Sequence, residues 1–171
     1  MARYVAFLRG VSPTNITMPA LTRCLERAGF SDVRTLLASG NAAFSTRATP
    51  TETLRRRIEA AIEAEFGRRF GTFVRSATHL RRIVDGRPFD AYGLPPEAKP
   101  VVTFLPRPWA HALDLPIERA DARILAVAGT EAYSFYVPGP KGPVFMALLE
   151  RTFGRDITTR TLATVTRCAR A

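Results

Sequence analysis

Apolar residues along the chain fall into two patterns, short continuous runs and repeats of three to four residues, and their succession predicts the elements. Tyr4–Leu8 (YVAFL) is an unbroken apolar run with β-branched and aromatic members, the pattern of a strand buried on both faces. Leu21, Cys24, Leu25 and Ala28 then recur at helical spacing, with Thr17 as N-cap, Pro19 in the first turn and Gly29 as the stop. Strands are expected at Val33–Leu37 and Asn41–Ser45; the break at Ala38-Ser39-Gly40 is short enough to force an antiparallel hairpin. Thr49-Pro50-Thr51-Glu52 reads as a capping box opening a second helix, with Leu54, Ile58, Ala61, Ile62 and Phe66 on its apolar stripe and Gly67 at its end. A strand at Phe70–Arg75 completes a β-α-β-β-α-β order, the ferredoxin-like arrangement, and a short helix at Thr78–Asp85 trails it.

The Pro- and Gly-rich stretch 85–99 reads as a linker. Beyond it come a buried strand (VVTFL), an irregular crossover or poor helix (PRPWAHALDLP), a hairpin about Gly129-Thr130, a helix ending at Gly154, a short strand (DITTR) and a terminal helix from Leu162. The expected fold is therefore α+β: two ferredoxin-like subdomains in tandem, 1–84 and 100–171, each an antiparallel sheet with helices on one face.

Composition narrows the functional classes. Hydrophobic content of 46% with 23% charged residues is that of a globular chain. No apolar run approaches the ~20 residues of a membrane span, and the opening residues lack a signal-peptide core, so a cytoplasmic protein without membrane partners is expected. Cys24 and Cys168 lie far apart in helical patterns and suit buried thiols. With His79 and His111 they form no ligand spacing, so neither metal nor cofactor is expected. The net charge is +10, and Lys99 and Lys141 are the only lysines among 25 basic residues. An arginine excess attracts nucleic acid or phosphorylated ligands; a GC-rich coding sequence explains the choice of Arg over Lys, though not the excess over acids.

The stretches YVAFLRGVSPTNITM, GFSDVRTLLASGNAAF and DITTRTLATVTRC resemble the uncharacterised bacterial proteins grouped as domain of unknown function family 1697. The resemblance covers essentially the whole chain and implies tandem ferredoxin-like subdomains in a cytosolic protein, with no established activity. Two departures stand out: VSPTNIT replaces a Gly/Lys/Asn-rich loop, and Thr161-Leu162 replaces the family's Asn-Trp.

Candidate chemistry centres on FLRGVSPTNITMP. Arg9 and Gly10 end the first strand, and the loop through Asn15 leads to a helix start, where free amides and a guanidinium favour an anion. In the expected sheet Asn41 begins the neighbouring central strand, and acylphosphatases offer a fold-level analogy of Arg and Asn holding a phosphate, although their full loop signature is absent. The competing expectation is structural: Arg9 pairs, Gly10 supplies a special backbone angle and Asn41 steadies the hairpin. Thr158, Thr159 and Arg160 before the last helix form a second candidate anion turn, against which stands a plain cap by Thr161. Ser39 lacks a nucleophile elbow and neither histidine has catalytic spacing.

Arg55, Arg56, Arg68, Arg69, Arg81 and Arg82 are candidates for a basic surface, although Arg55, Arg56 and Arg57 spread around the helix rather than forming one stripe. SGNAAFST lacks the aromatic signature of an RNA-recognition motif. The expectation is a non-catalytic, anion-recognising protein for nucleic acid or a phosphorylated small molecule. The alternatives are an enzyme acting on a small phosphorylated or carboxylated substrate at the Arg9/Asn41 corner, and a dimerising scaffold forming a homodimer.

Overall fold

The structure, a computed structural model, describes residues 1–139 and 144–171. It is a mixed α+β fold with two antiparallel sheets. The chain forms two compact units, Met1–Ile83 together with Thr166–Ala171, and Val84–Val165.

In the first unit β1 (Ala2–Leu8), α1 (Met18–Arg27), β2 (Ser31–Leu36), β3 (Asn41–Thr46), α2 (Thr51–Phe66) and β4 (Thr72–Ser76) follow in the expected order, then α3 (Ala77–Asp85). The sheet order is β2-β3-β1-β4, which places β1 centrally with antiparallel partners on both sides. Tyr4, Ala6 and Leu8 share a face and pack with Leu21 and Leu25 of α1 and Leu54, Ile58 and Ile62 of α2. Leu54, Ile58 and Ile62 are fully buried, about 2 kcal/mol of hydrophobic stabilisation each.

Local signals explain most boundaries. The Thr17 hydroxyl accepts from the Ala20 amide, and Gly67 closes α2 in the left-handed region at φ 70°. The capping box does not form. α2 starts one residue later, so Pro50 occupies the cap and offers no side-chain acceptor. The Thr49 amide donates to the Tyr4 hydroxyl instead, and the Glu52 carboxylate is held by Arg55 and Arg56.

The second unit is built on β5 (Lys99–Phe104), β6 (Ile117–Arg119), β7 (Ala122–Ala128), β8 (Glu131–Tyr136), α4 (Val144–Phe153) and β9 (Thr158–Thr161), with sheet order β6-β7-β8-β5-β9. The crossover after β5 contains no helix, because Pro106, Pro108 and Pro116 remove backbone donors. It is pinned instead to the β7–β8 turn by Leu105 N–H to Thr130 O and Trp109 N–H to Gly129 O, at 2.8 and 3.0 Å. β6 escaped the sequence reading because three half-polar residues carry no period.

The stretch expected as a linker, 85–99, belongs to the second unit, with a 3-10 turn at Asp90–Tyr92 and Phe89 buried edge-on against Tyr133. The last helix, α5 (Leu162–Ala169), ends in residues that group with the first unit, where Arg3 Nε donates to Ala171 O and Arg81 donates to Ala169 O.

Candidate functional site

At the carboxyl end of β1 the backbone passes between two flanking turns. Leu8 N–H donates to Gly40 O and Arg9 N–H to Gly71 O, both at 2.8 Å. The β1–α1, β2–β3 and α2–β4 connections therefore meet at one end of the first sheet. Gly10 turns the chain at φ 82°, a conformation that costs an L side chain about 1–2 kcal/mol. The loop then fastens itself: Asn15 Nδ2 donates to Gly10 O at 2.7 Å while its Oδ1 accepts from Ser12 N–H at 2.9 Å. Val11 and Ile16 anchor the loop in the core. Asn15 is thus a loop staple with both ends of its amide engaged.

Arg9 is half-buried at the loop's start and Gly10 is exposed. A terminal guanidinium nitrogen of Arg68 lies 4.0 Å from the position a side chain on Gly10 would occupy, and the group rests over the Phe70 ring at 4.7 Å. Phe70 is itself buried, so the cation–π contact sets the Arg68 head on a fixed platform beside Gly10. Arg68 was expected on a general basic surface, not at the first loop. The available signal was topological: with β4 beside β1, whatever precedes β4 arrives at the end of β1.

Asn41 reaches this corner only through its backbone. It is paired with Phe7 across the sheet, but its side chain is fully buried and donates to Leu36 O at 3.0 Å and Ser39 Oγ at 3.1 Å. This is the hairpin-steadying role, and it encloses the amide that the phosphate analogy required. Ser39 is correspondingly part of the turn.

The Arg160 turn takes a different form. Thr158–Thr161 is a strand hydrogen-bonded to β5 that runs straight into α5. Arg160 folds back along it, donating to Thr158 Oγ1 at 2.8 Å and Thr159 O at 2.7 Å. Thr159 Oγ1 faces Met146 Sδ, and Thr161 Oγ1 accepts from Thr164 N–H as a helix cap. Thr159 and Arg160 are therefore engaged within the strand and with its neighbours.

The arginines of α2 are largely compensated. Arg55 bridges Glu52 and Glu59 at 2.6 and 2.8 Å, Arg56 also reaches Glu52, and Arg69 pairs with Glu63. The hydrogen bond from Arg55 holds the Glu52 carboxyl down at about 2, and the same pairing raises Arg55. Arg57 caps Ala28 O and covers Phe30. Arg81 bonds Thr78 Oγ1, and Arg82 is exposed on the same short helix. No continuous phosphate-tracking stripe results along α2.

Cys24 is buried beside Glu65, and burial, then the hydrogen bond and charge of Glu65, push its thiol up to about 12. The His79 amide is taken by Ser76 Oγ, and the His111 ring packs edge-on against Trp109. Among the described residues there is no group of three or more His, Cys, Asp or Glu placed to hold a metal, and no helix is long and apolar enough to cross a membrane.

These features define a two-sheet α+β protein with an arginine-flanked loop cluster at one end of its first sheet. The chain belongs to the family described as "Protein of unknown function (DUF1697)", whose profile matches residues 1–133. In three dimensions it is similar to the conserved bacterial protein SP0830 from Streptococcus pneumoniae, with a TM-score of 0.72 at 17% identity over 99% of this chain and 97% of the other. That likeness speaks for the fold alone. No curated protein matches the sequence significantly.

Proposed function

We propose that the chain is a non-catalytic, anion-recognising protein that holds a phosphorylated small molecule at the loop end of its first sheet. Arg9 and Arg68 supply the charge, and the exposed Gly10 peptide lets the ligand approach the backbone. The observation that carries this reading is the Arg68 guanidinium set over Phe70 beside Gly10. Guanidinium groups grip phosphate oxygens in pairs, and a stacked one loses less freedom on doing so. The compensation of Arg55, Arg56 and Arg69 by Glu52, Glu59 and Glu63 favours a compact ligand over a nucleic-acid track. The enclosure of Asn41 disfavours the enzymatic alternative at this corner.

We further read both units as variants of the ferredoxin-like plan. The order β7-β8-β5-β9 parallels β2-β3-β1-β4, with β6 added at the edge and an irregular crossover where the first helix would stand.

A thermal-shift panel of pyrophosphate, nucleotides and short oligonucleotides tests the function, since binding to the native state stabilises it by RT ln(1 + [L]/Kd). Phosphorylated small molecules should raise Tm, and Arg9→Ala and Arg68→Ala should each weaken binding by about tenfold or more. A Tm unmoved by the whole panel, or shifts unchanged in the double variant, would sink the proposal. Oligonucleotide binding that falls steeply with salt would replace it with the polymer reading.

A further inference from the structure

We infer that Glu59 is the positioning residue of the loop cluster at the end of the first sheet, holding the turn from which Arg68 reaches Gly10. The inference rests on the anion reading of that cluster and adds to it the residue through which α2 governs the site.

Glu59 follows the core residue Ile58 on α2, and its side chain is only 12% exposed. Its two carboxylate oxygens are divided. Oε2 takes Arg55 at 2.8 Å, while Oε1 accepts from the Thr72 amide at 3.1 Å, 13 residues further on at the start of β4. Thr72 is buried, and a buried amide left without its acceptor destabilises the conformation that buries it. Two more bonds act on the same turn: Thr72 Oγ1 donates to Phe70 O at 3.0 Å, and Arg9 N–H donates to Gly71 O at 2.8 Å. Packing places the buried Phe70 ring, and these bonds set the backbone that carries it. The exposed Arg68 rests its guanidinium on that ring, and among the described residues no carboxylate pairs with it. The neighbouring Arg69 turns instead to Glu63. The direction of the Arg68 head therefore depends on the ring, and the ring on a turn that Glu59 fixes from α2. A guanidinium displaced by about 1 Å loses its paired grip on phosphate oxygens.

The test uses pyrophosphate as the probe, together with the Nε–H resonance of Arg68, identified as the signal absent from Arg68→Lys, as a reporter that needs no ligand. The ring beneath the guanidinium shifts that resonance upfield. Glu59→Gln keeps an acceptor for the Thr72 amide and leaves Arg55 its bond to Glu52, so resonance and affinity should both be unchanged. Glu59→Ala should return the resonance towards that of unstacked arginines and weaken pyrophosphate by about fivefold. In an Arg68→Ala background the same substitution should weaken it by less than about twofold, because the platform then carries nothing. Thr72→Val removes the tie to Phe70 O and should move the resonance in the same direction, which keeps the test decisive where Glu59→Ala does not fold. The inference is overturned if the resonance holds its position in Glu59→Ala, or in Thr72→Val where that chain is the one that folds. It is equally overturned if Glu59→Ala weakens pyrophosphate as much without Arg68 as with it. Native protein that ignores pyrophosphate, with the resonance still moving in Glu59→Ala, would sink the anion reading while supporting the role of Glu59.

Discussion

Gly40 and Gly67 both sit in the left-handed region, at φ 80° and 70°, yet they differ in what surrounds them. A Cβ on Gly40 would stand 2.9 Å from the Val11 Cβ and 3.1 Å from Leu8 O, because the hairpin turn lies directly against the first loop. A Cβ on Gly67 would meet nothing within 4 Å. Gly67→Ala should therefore cost only the backbone term, about 1 kcal/mol. Gly40→Ala adds overpacking and should cost about 2–4 kcal/mol. Urea denaturation separates the two, and equal losses would mean that the turn yields without disturbing the loop. The cysteines are a second residue-scale case. The Cys24 thiol, pushed up to about 12, and the fully buried Cys168 should both resist iodoacetamide at neutral pH and react once the chain is unfolded. Rapid labelling of the native protein at Cys24 would contradict its enclosure beside Glu65.

Among the elements, α2 carries the clearest electrostatic consequence. Glu52 is depressed chiefly by its hydrogen bond from Arg55, so its contribution is present above the ordinary carboxylate pKa and disappears as pH falls towards about 2. The pair is exposed, which limits its worth to about 1 kcal/mol at most. Glu52→Gln should lower stability by that amount at pH 7 and by nothing measurable near pH 2, and an equal loss at both would place the effect elsewhere. Glu52 also shows what was and was not legible. The helix, its stripe through Leu54, Ile58 and Ile62, and its glycine stop follow from periodicity and backbone freedom. The capping box failed because Thr49 and Glu52 each had a competing partner, Tyr4 and the arginines, and such competition is decided in three dimensions. The same holds at the candidate site. Arg9 and Gly10 were legible as the end of a central strand. Asn41 was legible as a polar residue at a strand start, but whether its amide faced outward or tied its own turn was not. Arg68 was visible only as one of many arginines, because its placement depends on which loop end meets which strand end.

For the molecule as a whole, the order of the chain and the grouping of its residues in space part company at the C-terminus. Thr166–Ala171 groups with the first unit although its sequence neighbours belong to the second. The attachment has identifiable causes: Arg3 donates to Ala171 O at 3.2 Å, Arg81 donates to Ala169 O at 3.4 Å, and Cys168 and Ala169 are buried. These contacts join the last residues to β1 and α3, elements on the opposite side of the sequence from them. Hydrogen bonds to charged donors contribute about 1.5–3 kcal/mol when partly buried, and burial of two small apolar side chains adds about 1 kcal/mol or more. Deleting Thr166–Ala171 should therefore destabilise the protein by about 4 kcal/mol or more. The measurement is the denaturation midpoint followed by circular dichroism, with Arg3→Ala as a milder companion that removes one contact and leaves the chain length intact. A truncated chain with an unchanged midpoint would show that the terminal residues rest on the first unit without holding it. A graded loss, smaller in Arg3→Ala than in the truncation, would establish that the first unit depends on residues at both ends of the sequence.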